Sequence, residues 1–204
     1  MNVRTHYKNL ANEYDQKWPQ YLEKTQQEAV NHITLKKNLH ILDAGCGTGG
    51  AILEILKKDK TANIKGIDIT PEMLTKANEK VKQYRNISLI TGDLHKIPFN
   101  ANSFDCIINL NNLHYLHDPE QVFKEFNRVL KKEGELIIVD WSCDFFLFKI
   151  MNIYWRIFHE PYAKSYSTKE IKMMLEKNGF TVKKIKNQKI DWFWRVFLVK
   201  GVKA

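Results

Sequence analysis

The sequence predicts an α/β fold in which helices alternate with the strands of a mostly parallel sheet. An apolar run ends at Asp43, passes through a glycine-rich turn and continues as a helical pattern, which is typical of strand, tight turn and helix. Further apolar runs at 63–69, 87–91, 104–110 and 136–139 are separated by helical patterns. This alternation favours parallel pairing with right-handed crossovers.

Composition excludes several classes of protein. The 204 residues fit one domain. The sequence has no run of 18 apolar residues, so stable membrane insertion is not expected. Residues 1–10 are polar and lack the apolar core of a signal peptide. The three cysteines have no metal-ligand spacing, which predicts no metal and reduced thiols in a cytoplasmic protein. The net charge of +9 permits an acidic partner, but the lysines are scattered in pairs, so no nucleic-acid partner is expected.

Residues 1–37 predict one or two polar helices with aromatic residues at helical spacing, interrupted at Pro19. They could pack on the edge of the core or form a lid over a ligand. Asp118 and Ser167 are predicted to cap later helices, Ser167 with Glu170 in a capping box. Lys131 and Lys132 are placed at a helix end closed by Gly134, and residues 180–185 and 192–199 predict two final strands.

Two ligand patterns compete for the glycine-rich turn. Gly45, Gly47 and Gly50 fit the dinucleotide pattern G-x-G-x-x-G, whereas Asp43, Gly45, Gly47 and Gly49 fill the pattern (D/E)-x-G-x-G-x-G. A buried carboxylate at Asp43 requires a donor or a cation, and it would repel a pyrophosphate. The remaining interpretation is a turn that only connects strand to helix.

Two more acids follow strands at the carboxyl edge of the sheet, where open α/β sheets bind ligands. Asp68 ends the second strand and can accept hydrogen bonds from both hydroxyls of a ribose, as in NAD enzymes. Asp93 follows the third strand and can accept from an adenine amino group. An NAD(P)-dependent oxidoreductase would explain Asp68 and the glycines but leaves Asp43 and Asp93 unexplained.

The spacing Gly92-Asp93, Pro98-Phe99, Ser103-Phe104-Asp105 strongly resembles small-molecule class I S-adenosylmethionine (SAM)-dependent methyltransferases, including the ubiquinone/menaquinone type. The resemblance covers residues 41–141. It implies a single domain with a Rossmann-like seven-stranded, mostly parallel sheet, helices on both faces and an antiparallel last strand. It also implies SAM as cofactor and S-adenosylhomocysteine as product. The predicted cofactor-binding residues are Tyr14, Asp43, Gly45, Cys46, Gly47, Gly49, Asp68, Ile69, Met73, Gly92, Asp93, Leu94, Asn109, Leu110 and His114.

An aromatic insertion at 142–166 follows the fifth strand, so it is expected near the transferred methyl group. It could be a helix covering the sheet edge, a helix on a membrane surface or an apolar substrate cap; the cap is favoured. The predicted substrate-lining residues are Trp18, Tyr115, Trp141, Trp155, Phe158, Tyr162 and Tyr166. His114 and His159 are the candidate catalytic residues, if the acceptor must lose a proton.

The predicted function is in-line methyl transfer from SAM to a small apolar or aromatic acceptor. A nucleic-acid methyltransferase would explain the core and the charge. However, residues 109–112 lack the prolines that such amino-group methyltransferases place after the fourth strand. A non-catalytic SAM-binding protein is the remaining alternative.

Overall fold

The computed structural model describes residues 3–159 and 161–204, and it begins with three helices. These are α1 (Val3–Leu10), α2 (Tyr14–Lys17) and α3 (Pro19–Val30). Pro19 stands in the first turn of α3, where its missing N–H has no intrahelical partner to lose. The predicted interruption is therefore a helix start, and the segment holds three helices rather than one or two. Met1, Asn2 and Glu160, which fall in the two predicted caps, lie outside the described residues.

Seven strands form one sheet in the order β3-β2-β1-β4-β5-β7-β6. They are β1 (His40–Ala44), β2 (Asn63–Asp68), β3 (Ile87–Thr91), β4 (Phe104–Leu110), β5 (Leu130–Trp141), β6 (Phe180–Lys189) and β7 (Arg195–Lys203). β1 to β5 pair in parallel, and β7 is antiparallel to both β5 and β6. This confirms the predicted sheet and its antiparallel last strand.

Helices cover both faces of the sheet, as predicted. The remaining helices are α4 (Gly50–Lys58), α5 (Pro71–Val81), α6 (Pro119–Val129), α7 (Phe146–Phe158) and α8 (Thr168–Lys177). Neighbouring strand residues point to opposite faces, so Ile41 packs in one core with residues of α3, α4 and α5. Leu42 packs in the other core with residues of α6 and α8. Asp118 caps α6, and Ser167 with Glu170 forms the predicted capping box of α8.

β5 begins at Leu130, six positions before its predicted start at residue 136. Leu130 pairs with Phe104 of β4, and the pairing continues across a register shift between Phe104 and Cys106. Lys131 therefore lies in a strand, where its ammonium contacts the Asp105 carboxylate at 2.9 Å instead of the end of a helix. The prediction that Gly134 closes the helix is wrong because pairing of β5 with its neighbouring strands outweighs the local helix-end signal.

β7 also begins later than predicted, at Arg195 rather than residue 192. The Asp191 carboxylate accepts hydrogen bonds from the backbone N–H groups of Phe193 and Trp194, so these residues form a turn. The strand then runs to Lys203, paired with β5 and β6 along its length. Two-sided pairing, which apolar runs do not encode, sets both ends of this strand.

Within the described ranges, no helix is long and apolar enough to cross a membrane. The same part of the chain contains no cluster of three or more histidine, cysteine, aspartate or glutamate side chains that could hold a metal ion. The three cysteines are free and buried, and burial raises the pKa of the Cys46 thiol well above its usual value.

Candidate active site

Two adjoining cavities open at the carboxyl edge of the sheet. The larger cavity, of about 700 Å³, is bordered by residues that follow β1, β2, β3 and β4. The smaller cavity, of about 240 Å³, lies between the N-terminal helices, the segment after β4, and α7. Tyr7, Tyr14, Asn111 and Tyr115 line both cavities, so the two spaces meet at these four side chains.

The glycine-rich turn holds β1 against β2 at the wall of the larger cavity. The backbone N–H groups of Gly45 and Cys46 donate to the Ile67 carbonyl at 2.8 and 3.0 Å. Gly45 has a φ of +81°, and a Cβ there would lie 1.6 Å from the Asn112 amide nitrogen. That amide donates to the Ala44 carbonyl at 2.9 Å. Only glycine fits this position, both by conformation and by space.

Asp68 connects the turn to the start of α5. One carboxylate oxygen accepts from the Gly47 N–H at 2.8 Å, and the other accepts from the Thr70 N–H at 2.9 Å. Burial raises the pKa of Asp68 above its usual value, although these hydrogen bonds act to lower it. Thr70 stands at the N-cap position of α5, but its side chain makes no capping hydrogen bond. Each carboxylate oxygen keeps acceptor capacity, and Asp68 lines the larger cavity.

Asp43 is a buried acid that lacks a complete set of partners. Asp43 is only 1% exposed, and its Oδ2 has no hydrogen-bond partner among the described residues. Burial, and then the nearby charge of Asp68, raise the pKa of Asp43 to about 8. Gly45, two residues further on, lines the larger cavity. A cationic ligand group would compensate this carboxyl group.

Asp93 lies at the far side of the larger cavity with Leu94. Its carboxylate accepts from the His95 backbone N–H at 2.9 Å, and the same oxygen lies 2.7 Å from the His95 Nδ1. Burial acts to raise the pKa of Asp93, but the hydrogen bonds from His95 lower it overall. The acid is therefore ionised at neutral pH, ready to accept from a ligand.

The predicted cofactor residues divide into two groups by position. Those that line the larger cavity are Tyr14, Gly45, Gly47, Asp68, Ile69, Met73, Asp93, Leu94 and Leu110. Others support its wall: Asn109 donates to the Ala44 carbonyl at 2.8 Å, the Gly92 N–H donates to the Asp68 carbonyl at 2.9 Å, and Gly49 is the N-cap residue of α4. Cys46 and Asp43 are buried behind the turn. His114 lines the smaller cavity instead.

His114 and Asp140 form a buried pair at the smaller cavity. The His114 Nδ1 lies 2.5 Å from an Asp140 carboxylate oxygen, and both side chains are 2% exposed. Asp140 also accepts from the backbone N–H groups of Leu113 and Trp141. The imidazole stacks on Trp141 with the ring centroids 3.8 Å apart. Its Nε2 has no hydrogen-bond partner within the described ranges, so this nitrogen is the one free to act on a ligand.

Aromatic rings form most of the smaller cavity. Of the predicted substrate residues, Trp18, Tyr115, Trp141 and Trp155 line it, as does the second catalytic candidate, His159. The ring of His159 lies edge-on to His6, with centroids 5.8 Å apart.

Three predicted substrate residues lie elsewhere. Tyr162 lines the larger cavity, with its hydroxyl donating to the Asn152 side-chain oxygen and hydrogen-bonded to the Ser165 hydroxyl. Phe158 is 69% exposed and lines neither cavity. Tyr166 is buried in the core on the α6 and α8 side of the sheet.

Four residues at the cavities are not among the site residues predicted from the sequence: Tyr7, Tyr21, Asn111 and Trp194. Tyr21 donates to the Asn111 side-chain oxygen at 2.6 Å and accepts from the Trp141 indole N–H at 2.9 Å. Asn111 has a φ of +54°, and an asparagine directly after a strand is the local signal that could have identified it. Trp194, in the β6–β7 turn, stacks on Trp141 with the ring centroids 4.9 Å apart. No local feature of the sequence indicates this contact.

The N-terminal helices are anchored over both cavities by polar contacts. Asp15 of α2 accepts from the Thr48 hydroxyl at 2.6 Å and forms an ion pair with Lys80 of α5 at 2.5 Å. Lys8 of α1 lies 3.5 Å from Glu72 at the start of α5. These contacts tie α1 and α2 to the elements that follow the glycine-rich turn and β2.

Comparison with known proteins gives matches of three kinds. Residues 42–138 match a family described as a methyltransferase domain. A demethylmenaquinone methyltransferase of Listeria welshimeri is 32% identical over 158 residues, covering 70% of this chain and 64% of the relative. The sterol 4-C-methyltransferase strm-1 of Caenorhabditis elegans is 32% identical over 128 residues, covering 61% and 38%. The chain thus spans less than two thirds of the length of these relatives.

Solved structures share the fold. A Haloferax volcanii putative methyltransferase, in complex with the Trm112 methyltransferase activator, has a TM-score of 0.84 at 19% identity, over 100% of this chain and 98% of that chain. A geranyl diphosphate methyltransferase in complex with GPP and sinefungin has a TM-score of 0.73 at 13% identity, over 89% and 78%. The family and relatives confirm the predicted resemblance to class I SAM-dependent methyltransferases, and this resemblance implies SAM as the cofactor.

Proposed function

We propose that this chain is a class I methyltransferase that moves the methyl group of SAM to a small apolar acceptor by in-line displacement. SAM supplies the methyl group on a positively charged sulfur. The observation that carries the proposal is the junction of the two cavities at Tyr7, Tyr14, Asn111 and Tyr115. At this junction a cavity with three acids at or behind its wall meets a cavity of aromatic rings, so that two ligands can contact each other away from water.

The acids of the larger cavity suit the separate parts of SAM. Asp68 keeps acceptor capacity for the ribose hydroxyls, and Asp93 can accept from the adenine amino group. The Asp43 carboxyl, buried and with one unpartnered oxygen, would be compensated by the ammonium group. A dinucleotide fits less well, because a pyrophosphate at the glycine-rich turn would leave the Asp43 carboxyl group without a cationic partner.

The smaller cavity favours a flat apolar acceptor. Its walls include four tryptophan rings, those of Trp18, Trp141, Trp155 and Trp194, and among the residues that the structure describes no acidic side chain borders it. The relatives are named for a menaquinone precursor and for a sterol, both ring compounds of low polarity. We extend to this chain the class of acceptor, a lipophilic ring compound, that these names share. A nucleic-acid acceptor would instead need an open basic surface beside the cofactor.

His114 is the group that could take a proton from such an acceptor. Asp140 holds the imidazole through Nδ1, which leaves Nε2 without a partner in the described structure, and His114 lines the smaller cavity. A ring hydroxyl, or a ring carbon that carries an acidic proton, would be activated for attack on the methyl group by transferring that proton to Nε2. Asp140 acts here as a positioning residue, because it orients the ring through Nδ1.

The test is a pair of measurements on the same preparation. Calorimetry should show micromolar binding of SAM and S-adenosylhomocysteine and no binding of NADH. Release of S-adenosylhomocysteine should then be measured with a panel of acceptors that includes a short-chain quinol lacking one ring methyl group, a sterol and an RNA. Tight NADH binding without heat from SAM would contradict the proposal, as would turnover with RNA alone.

A matched pair of glycine variants serves as a control for the site. Gly45→Ala forces a side chain into Asn112 at a positive φ and should abolish measurable SAM binding. Gly201→Ala in β7 meets only ordinary contacts, at 3.4 Å and beyond, and should bind SAM like the unaltered protein.

A further inference from the structure

Helix α7 exposes an unusual number of large apolar side chains. Seven of them are more than half exposed: Phe146, Leu147, Ile150, Ile153, Tyr154, Ile157 and Phe158. We call this set the α7 apolar face. Phe148 is the only buried residue of this helix. Isolated exposed apolar residues are ordinary on protein surfaces, whereas a contiguous patch of this size marks an interaction site.

The exposed residues lie on one side of the helix. At about 100° per residue, they span an arc of about 140°. Trp155 and Phe148 lie on the opposite side, toward the protein. Lys149 and Arg156 are exposed, one heptad apart, along one border of the α7 apolar face. Residues 146–158 contain no acid. An exposed apolar arc with a basic border is the arrangement of helices that lie at the surface of anionic membranes.

A second element adds an exposed aromatic residue next to the helix. Trp192, in the β6–β7 turn, is 85% exposed. Its neighbour Phe193 packs on Phe148 of α7 with ring centroids 5.5 Å apart. Tryptophan is enriched at the boundary between lipid and water, because its ring is apolar and its N–H is polar.

The inward side of α7 borders the smaller cavity. Trp155 in the helix and His159 directly after it line that cavity. Phe158, between them, is part of the exposed α7 apolar face. One helix therefore separates the acceptor space from the outside, with apolar residues on both sides.

We propose that the α7 apolar face docks on an anionic lipid bilayer without crossing it, so that a lipophilic acceptor reaches the smaller cavity from the membrane. The docking rests on the exposed residues and their basic border, and the delivery step rests on the proposed function. Charge complementarity favours this occupant: α7 carries only basic charges, and the chain has a net charge of +9.

The test is sedimentation with vesicles. The full chain is mixed with phosphatidylcholine vesicles that contain or lack one quarter phosphatidylglycerol. Binding to the anionic vesicles should exceed binding to the neutral ones by about tenfold and should weaken at high salt. The variant Ile153→Gln/Ile157→Gln should lose about tenfold or more of this binding. The matched control Leu35→Gln/Met173→Gln changes two apolar residues exposed elsewhere and should bind like the unaltered protein.

Charge variants separate the two contributions. Lys149→Gln/Arg156→Gln should reduce binding to anionic vesicles severalfold, whereas Lys65→Gln/Lys169→Gln, at exposed sites on other elements, should have a smaller effect. No vesicle binding, or equal loss in both apolar variants, would overturn the proposal. So would a dimer in sedimentation without lipid that Ile153→Gln/Ile157→Gln dissociates, because the α7 apolar face would then be a self-association surface.

Two controls distinguish this proposal from the proposed function. If SAM binds in calorimetry and a water-soluble quinol is methylated, but vesicles are not bound, membrane docking alone is wrong. If vesicles are bound through α7 but SAM is not, docking stands and the proposed function is wrong. When both hold, Ile153→Gln/Ile157→Gln should lower turnover of an acceptor dissolved in vesicles and leave turnover of a water-soluble one unchanged.

Discussion

The walls of the two adjoining cavities are built in different ways. The larger cavity is made mostly by short segments that follow four strands of the sheet, with α1, α2 and residues 161–162 completing its wall. The polar groups at the strand ends are fixed by hydrogen bonds between neighbouring segments. The smaller cavity is made by rings from α1 to α3, the ends of β4 and β5, α7 and the β6–β7 turn. Strand ends position groups through backbone geometry, whereas the rings depend on packing between distant segments.

This difference suggests a division of roles. A wall fixed by backbone hydrogen bonds tolerates few changes and suits a ligand that does not vary. A wall of packed rings can change its shape by substitution without disturbing the sheet, so it suits the selection of an acceptor. Substitutions on the two sides should therefore affect different measurements: cofactor affinity on one side, acceptor turnover on the other.

The largest effect is expected at His114, in the wall of the smaller cavity, where turnover and cofactor affinity should separate most clearly. His114→Gln removes the free Nε2 and should lower turnover about 10²- to 10⁴-fold for an acceptor that must lose a proton. Affinity for SAM, measured by calorimetry, should stay within a few-fold. His159→Gln alters another imidazole at the same cavity and should reduce turnover only a few-fold. Equal losses in both variants would remove His114 as the base, and a thermal melt of each excludes unfolding as the cause.

The next effect concerns the cofactor side. Asp68→Asn keeps the size of the side chain but loses a charged acceptor for two ribose hydroxyls. Binding of SAM should weaken by about 1.5–3 kcal/mol, roughly ten- to a hundredfold. Asp105 is the matched control, because its carboxylate also accepts from a backbone N–H, that of His40, but at the opposite end of the sheet. Unchanged SAM affinity in a folded Asp68→Asn would show that the ribose lies elsewhere.

A smaller effect sharpens the description of the aromatic side. Trp155 lines the smaller cavity, whereas Phe158, three positions along the same helix, is exposed. Trp155→Ala should lower turnover of a water-soluble acceptor about tenfold at fixed SAM affinity, and Phe158→Ala should leave it unchanged. Both residues were predicted from the sequence to contact the acceptor. A loss at Phe158 equal to that at Trp155 would mean that the acceptor contacts the exposed face as well.

The smallest effect is the release of a proton from Asp43 when SAM binds. With its pKa raised to about 8, this group is mostly protonated in the free protein at pH 7. A cationic ammonium beside it would lower that pKa, so SAM binding should release part of one proton. Calorimetry in two buffers of different ionisation enthalpy measures the release, which Asp43→Asn should abolish. Release that persists in Asp43→Asn would place the proton on another group.

The same raised pKa affects stability in the absence of ligand. Between about pH 4 and about pH 8 the folded protein keeps the Asp43 proton while the unfolded chain has lost it. The free energy of unfolding should therefore fall as pH rises through this range, and Asp43→Asn should flatten that dependence. Denaturant unfolding at several pH values measures it.

The order of the secondary structure was predictable because its signals are local. Apolar runs, caps at Asp118 and Ser167, and the glycine-rich turn each act over a few residues, and the structure confirms them. The acids Asp43, Asp68 and Asp93 were found in the same way. In a parallel sheet, residues that end neighbouring strands must meet at one edge, so position in the sequence predicts position in space.

The sequence by itself therefore determined the sheet, its helices and the acids around the larger cavity. Tertiary structure decided the ends of β5 and β7, the pairing of His114 with Asp140 and the packing of Trp194 on Trp141. It also decided that Trp155 faces inward while Phe158 faces outward. These outcomes depend on contacts between segments far apart in the chain, and an aromatic residue carries the same apolar signal in a core, at a cavity wall and on an exposed face.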